Sequence, residues 1–110
     1  LVEVLKSVVK TGTGKKAALE GFDVAGKTGT AQKYNMETRS YSKTEFISSF
    51  IGFAPADSPR LVILVMIDNP HGLHGGNVVA APVFREIAKK ALRYLNVPSS
   101  KERHFILDRA

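Results

Sequence analysis

Residues 27 to 30, Lys27-Thr28-Gly29-Thr30, bring one cation, two hydroxyls and a bare backbone position together. In an extended strand alternate side chains share a face. Thr28 and Thr30 then point one way, and Lys27 and Gly29 the other unless the strand is twisted or at an edge. Without a side chain at Gly29, a ligand can lie against the backbone. Two hydroxyls beside an ammonium form a seat for a carboxylate, and the Thr30 N–H can face a developing oxyanion. Taken alone, the same residues equally suit a solvated edge strand, because so short a motif often matches by chance.

The elements that must position this motif are legible on either side of it. Phe22 to Tyr34 reads as the strand that carries it, and glycines inside a strand mark close approach by a backbone or ligand. Upstream, Leu1, Leu5, Val8 and Val9 recur at one apolar helical face, with Lys6 and Lys10 opposite. Thr11-Gly12-Thr13-Gly14 is expected to end that helix, its glycines taking left-handed C-cap conformations. Downstream, the polar stretch Tyr34 to Thr44 reads as a loop and Glu45 to Ala54 as a second strand. Pro55 to Pro59 is a turn, which makes Arg60 to Asp68 the antiparallel partner of that second strand. This third strand is rich in β-branched residues and continuous enough to be buried on both faces. Asn69 to Gly76 is a glycine-rich loop. A last helix carries Val83, Phe84, Ile87, Ala88, Ala91, Leu92 and Leu95 on one stripe, with Pro82 in its first turn and Pro98 stopping it. The order helix, three strands, helix predicts an α+β arrangement, an antiparallel sheet flanked by helices.

Composition narrows the function classes. A chain of 110 residues, 44% hydrophobic and 24% charged, has room for one modest core or part of a larger one, and is not a disordered tail. The absence of cysteine excludes disulfide scaffolds and thiolate zinc sites, and leaves the redox compartment open. The longest apolar run, Leu61 to Ile67, is far short of the roughly 20 residues that span a bilayer. Leu1 already sits in a helical pattern, so no signal peptide is read, and the missing initiator methionine suggests a cut piece. A net charge of +6 keeps nucleic acid, anionic lipid and carboxylate-bearing substrates in play. The cations are dispersed and lack the interleaved exposed aromatics that base stacking needs, which argues against nucleic acid.

The surroundings of the motif carry more than the motif. Lys-Thr-Gly is the third signature of the penicillin-interacting serine acyltransferases, after Ser-x-x-Lys and Ser-x-Asn. Gly21 to Gln32, Phe50 to Arg60, Leu61 to Pro70 and Gly75 to Phe84 resemble the C-terminal half of the transpeptidase domain of class B penicillin-binding proteins. Leu95 to Pro98, following the Ala81-Pro82-Val83-Phe84 start of the helix, is more similar to the division-septum branch than to the elongation branch. The resemblance covers residues 1–98 and leaves 99–110 as a polar tail.

That resemblance implies roles. Lys27 would support the active-site hydroxyls and the electrostatics of the cleft. Thr28 and Thr30 would bind the substrate or β-lactam carboxylate, and the Thr30 N–H would form half of an oxyanion hole. Gly29 would stay bare so that a peptide can add antiparallel along the strand. Gln32 and His74 are further candidate substrate contacts, His74 from the rim of the cleft. The implied activity is peptidoglycan D,D-transpeptidation through a serine acyl-enzyme, without a cofactor, at the extracytoplasmic face of the cytoplasmic membrane. Stem peptides, β-lactams, division proteins and the N-terminal remainder of the domain would be the partners. A β-lactamase or β-lactam sensor of the same fold is the alternative.

The chain holds no Ser-x-Asn, and its two Ser-x-x-Lys strings, Ser7 to Lys10 and Ser40 to Lys43, are read as chance matches. Ser7 lies in the helix just before the motif strand, whereas the family's nucleophile lies far upstream; Ser40 falls in the polar connection after it. The nucleophile is therefore expected to be absent. Asp68, His71 and His74 share a loop without fixed helical geometry or a nearby fourth ligand, so no metal is expected. His104 reads as a surface residue.

Overall fold

The computed structural model describes residues 1–70 and 79–99. Helix α1 (Val2–Lys10) leads through a short 3-10 turn (Lys15–Ala17) into strands β1 (Ala25–Asn35), β2 (Ser40–Ala54) and β3 (Leu61–Asp68), and helix α2 (Ala80–Tyr94) follows. The strands form one antiparallel sheet in the order β1-β2-β3. This is the expected α+β arrangement.

Both helices contribute to one core on one sheet face. Val9 of α1, Phe50 of β2, Val65 of β3 and Phe84, Ala88 and Leu92 of α2 are buried together. The Phe50 and Phe84 rings lie 4.8 Å apart at 59°, close enough for an aromatic contact beyond simple area burial. Gly52 makes room for both rings, since a Cβ there would stand 2.9 Å from Phe84. Lys6 does not sit on the solvent side of α1 expected for it: its side chain is only 16% exposed, and its ammonium reaches Asp23 at 3.4 Å and Asp57 at 3.6 Å, tying the helix to the segments that flank β1 and β2.

Several expectations need correction. Leu1 is 92% exposed and stands outside the apolar face of α1, because it caps the helix instead of entering its first turn. Gly12 and Gly14 do not take left-handed conformations; among the described glycines, Gly21 alone has a positive φ, at 84°. They are needed for space: a Cβ on Gly12 would lie 3.0 Å from the Val8 carbonyl oxygen, and one on Gly14 would lie 3.2 Å from the Phe50 ring. The strand expected from Phe22 begins at Ala25.

The stretch Tyr34 to Thr44 is largely a hairpin, not a loop. β1 runs to Asn35 and β2 starts at Ser40. The Asn35 side-chain oxygen accepts from the backbone N–H groups of Glu37 (2.8 Å) and Thr38 (3.3 Å), an Asx turn that closes it. Polar composition hid this because neither face of the hairpin packs on a core.

β3 is not buried on both faces. Val65 is buried, while Val62, Leu64 and Met66 are 70%, 56% and 61% exposed, because α1 and α2 cover the same side of the sheet. Val83, Ile87 and Leu95 of the α2 stripe are likewise exposed.

At the end of α2 the stop is Asn96 rather than Pro98. Asn96 takes φ 55°, its N–H bonds to the Arg93 carbonyl, and the Val97 N–H bonds to the Leu92 carbonyl. That pair of bonds is a Schellman motif, with Asn in the left-handed position usually given to Gly. The polar tail from residue 100 onward, His104 included, lies outside the described residues.

Candidate active site

Lys27, Thr28, Gly29, Thr30 and Gln32 all lie on β1, an outer strand of the sheet. Opposite them on β2 stand Ile51, Phe50, Ser49, Ser48 and Phe46 in register. Among the described residues β1 pairs along its length with β2 alone, so its outer edge can receive an extended peptide.

The alternation read from sequence holds for the backbone. Thr28 shares the core-side face with buried Phe50, while Lys27 and Gly29 share the other face with exposed Ile51 and with Ser49. Lys27 nevertheless returns toward Thr28. Its ammonium donates to the Thr28 carbonyl oxygen at 2.9 Å and lies 3.5 Å from the Thr28 hydroxyl. The cation and the hydroxyl thus meet at the strand edge, where an anionic group would collect both.

A residue that sequence reasoning passed over completes this arrangement. The Thr13 and Thr28 hydroxyl oxygens are 3.1 Å apart. Thr13 is one of two threonines in the Thr11-Gly12-Thr13-Gly14 stretch, which as a sequence signals only a helix end. Its partner 15 positions away becomes visible once the chain after α1 folds back over β1.

The two motif glycines have different reasons to be bare. A Cβ on Gly26 would stand 2.5 Å from the Phe50 ring and 2.7 Å from the Ile51 carbonyl oxygen, so packing forbids it. At Gly29 the obstruction is the Ser49 hydroxyl at 2.7 Å, which can rotate away. Behind the motif, Ser48 is fully buried opposite Thr30, and its hydroxyl has no hydrogen-bond partner among the described residues.

The two Ser-x-x-Lys strings are not assembled with the motif. The Ser7 hydroxyl bonds back to the Glu3 carbonyl oxygen at 2.9 Å, a common habit of helical serine. Ser40 lies 2.9 Å from the Thr38 hydroxyl at the hairpin turn, opposite Asn35. At about 3.3 Å per residue, that places it roughly 26 Å along β1 from Lys27. Asp68, which the sequence groups with His71 and His74, holds the Lys33 ammonium at 2.9 Å. His71 and His74 lie outside the described residues.

The strand bearing Lys-Thr-Gly-Thr is the outer one of a three-stranded antiparallel sheet with both helices on one face, an arrangement this chain shares with part of the solved transpeptidase domains of penicillin-binding proteins. The chain belongs to the penicillin-binding protein transpeptidase domain family, whose model matches residues 1–89. It is 49% identical over 98 residues to the stage V sporulation protein D of Bacillus subtilis, covering 88% of this chain and 15% of that protein. It is 44% identical over 102 residues to a probable peptidoglycan D,D-transpeptidase, PenA, of Neisseria flavescens, covering 90% of this chain and 25% of that one. Among solved structures, penicillin-binding protein 3 of Mycobacterium tuberculosis in complex with ampicillin superposes with a TM-score of 0.78 at 39% identity, over 90% of this chain and 24% of that one. The transpeptidase domain of Burkholderia pseudomallei penicillin-binding protein 3 gives 0.78 at 42% identity, over 90% and 30%. The chain thus spans between about a seventh and a third of the lengths of these relatives.

Proposed function

We propose that this chain supplies the Lys-Thr-Gly-Thr half of a peptidoglycan D,D-transpeptidase, which cross-links stem peptides through a serine acyl-enzyme and is acylated by β-lactams. The observation that carries this reading is Lys27 held over Thr28 at an outer strand edge. There, the ammonium and the Thr28 and Thr30 hydroxyls receive the terminal carboxylate, and the peptide adds antiparallel along β1 past Gly29 toward Gln32. The Thr30 N–H stabilises the oxyanion as the serine attacks. The names borne by the relatives, peptidoglycan D,D-transpeptidase and penicillin-binding protein, support the same assignment. His74 is proposed as a contact from the rim of the cleft.

The nucleophile belongs to residues beyond these 110, since Ser7 and Ser40 are engaged elsewhere. Residues 1–98 are proposed as part of the transpeptidase domain and 99–110 as a tail. The setting is the extracytoplasmic face of the cytoplasmic membrane during septal wall synthesis, alongside division proteins. Among the described residues no helix is long and apolar enough to cross a membrane.

Labelling with a fluorescent penicillin tests the reading. The complete polypeptide carrying this segment should give a covalent band, its Lys27→Ala variant a much weaker one, and the 110-residue chain alone none. A band on the chain alone that disappears with Ser7→Ala would overturn the assignment of the nucleophile. An unlabelled complete polypeptide would overturn the function. Rapid release of hydrolysed penicillin would favour a β-lactamase instead.

A further inference from the structure

We propose that the groove at the outer end of the β1–β2 hairpin seats the glycan portion of the peptidoglycan donor. The proposal rests on the transpeptidase reading above and extends it to a subsite for sugar.

The first observation is a bulge. Gln32 pairs with Phe46 and Tyr34 with Tyr41, so one residue of β1 faces four of β2. The surplus is folded by Ser42, whose hydroxyl oxygen accepts from the backbone N–H groups of Thr44 (3.1 Å) and Glu45 (2.9 Å). A bulge bends the strand and re-aims its side chains, and here it opens a groove of about 540 Å³. That volume is within the roughly 300–1,000 Å³ usual for small-molecule clefts.

The second is the lining. Tyr34, Asn35, Glu37, Ser42, Thr44 and Glu45 offer carboxylate, amide and hydroxyl groups beside an aromatic ring. Tyr34 is 50% exposed and is braced edge-on by Tyr41, with ring centroids 5.3 Å apart. The Lys33 ammonium at the same groove is already paired with Asp68. Two carboxylates and a neutralised cation disfavour an anionic ligand, whereas hydroxyl and acetamido groups can donate to the carboxylates while an apolar sugar face rests on the ring.

The third is length. A donor peptide lying antiparallel on β1, with its terminal carboxylate at Thr28 and Thr30, directs its amino-terminal end toward Asn35. A stem peptide of about five residues spans roughly 17 Å when extended, which is about five residues of β1. Counting from Thr28 reaches Lys33, and from Thr30 reaches Asn35. The sugar to which the peptide is joined therefore arrives at the groove.

The experiment compares two donors in the complete polypeptide that carries these residues: an N-acetylated stem pentapeptide, and the same pentapeptide on its N-acetylglucosaminyl-N-acetylmuramyl disaccharide. The disaccharide donor should be preferred by about tenfold in kcat/KM, a difference one good subsite can supply. Tyr34→Ala and Glu45→Gln should each lower that ratio several-fold while penicillin acylation keeps its rate, and Tyr34→Phe should preserve the ratio. Equal turnover of the two donors by the parent protein would overturn the proposal. So would a ratio unmoved by both variants, or an equal fall in penicillin acylation, which would make the hairpin a mere support for β1. Failure of the parent protein to react with penicillin would instead remove the transpeptidase reading itself.

Discussion

The hydroxyl oxygens of Thr13 and Thr28 lie 3.1 Å apart, joining the chain after α1 to the edge of the motif strand. Thr28 also has the Lys27 ammonium at 3.5 Å, so its hydroxyl is directed by two neighbours from different parts of the chain. Thr13→Val should remove one of them while keeping the side-chain volume. The expected cost is about 1 kcal/mol of stability in urea unfolding, the usual net worth of one such hydrogen bond. In the complete polypeptide, penicillin acylation should slow several-fold, and Thr13→Ser should restore it. Unchanged acylation by the valine variant would show that Thr28 is held without Thr13.

Gly26 and Gly29 should respond differently to alanine. Gly26→Ala drives a methyl into the Phe50 ring and the Ile51 carbonyl, neither of which can move without repacking the sheet. A loss of about 2–3 kcal/mol is expected, in the range for overpacked cores. Gly29→Ala meets only the Ser49 hydroxyl and should cost less than half as much in the same urea titration. Its larger effect should be on acylation by penicillin, where the methyl stands beside the path of the incoming strand.

Ser48→Ala should be neutral or stabilising by up to about 1 kcal/mol, since it deletes a buried hydroxyl that lacks a partner among the described residues. Thermal unfolding of the variant beside the parent chain is the check. A loss of more than about 1 kcal/mol would mean that this hydroxyl is satisfied in solution.

The Lys33–Asp68 pair makes stability depend on alkaline pH. The hydrogen bond to Asp68 and its charge raise the Lys33 pKa above its ordinary 10.5. A raised pKa means the charged form is favoured in the folded state. The contribution is therefore complete below about pH 10.5 and is lost as pH climbs through the raised value. Asp68→Asn should flatten that alkaline decline in stability, and the difference between parent and variant should shrink with added salt, as for other exposed pairs.

Much of the fold is legible in the sequence. The periodicity of Val83 to Leu92 located α2, and the Pro55 to Pro59 turn between two apolar runs placed β2 against β3. Lys27, Thr28, Gly29 and Thr30 were identified by type and spacing, and they do lie together on an outer strand. What escaped was of two kinds. The outer hairpin is polar on both faces, so no alternation betrayed it, and Asn35 closes it with a side-chain bond that composition does not reveal. The stop of α2 reads as Pro98, whereas Asn96 makes the turn in the left-handed conformation that Asn adopts more readily than most residues, a weaker signal in sequence than Gly or Pro.

The sequence by itself determined the local terms: which residues alternate along β1, where backbone must be bare, and that a lysine and two threonines stand within four positions of each other. Those follow from covalent spacing and the fixed periods of strand and helix. Tertiary structure alone decided how the parts meet. It laid Thr13 on Thr28, set Phe50 where Gly26 must make way, and put both helices on one side of the sheet, leaving Val62, Leu64 and Met66 exposed on the side that Lys27 shares. Such contacts join residues far apart in the chain, and their energies depend on the packing of the whole sheet.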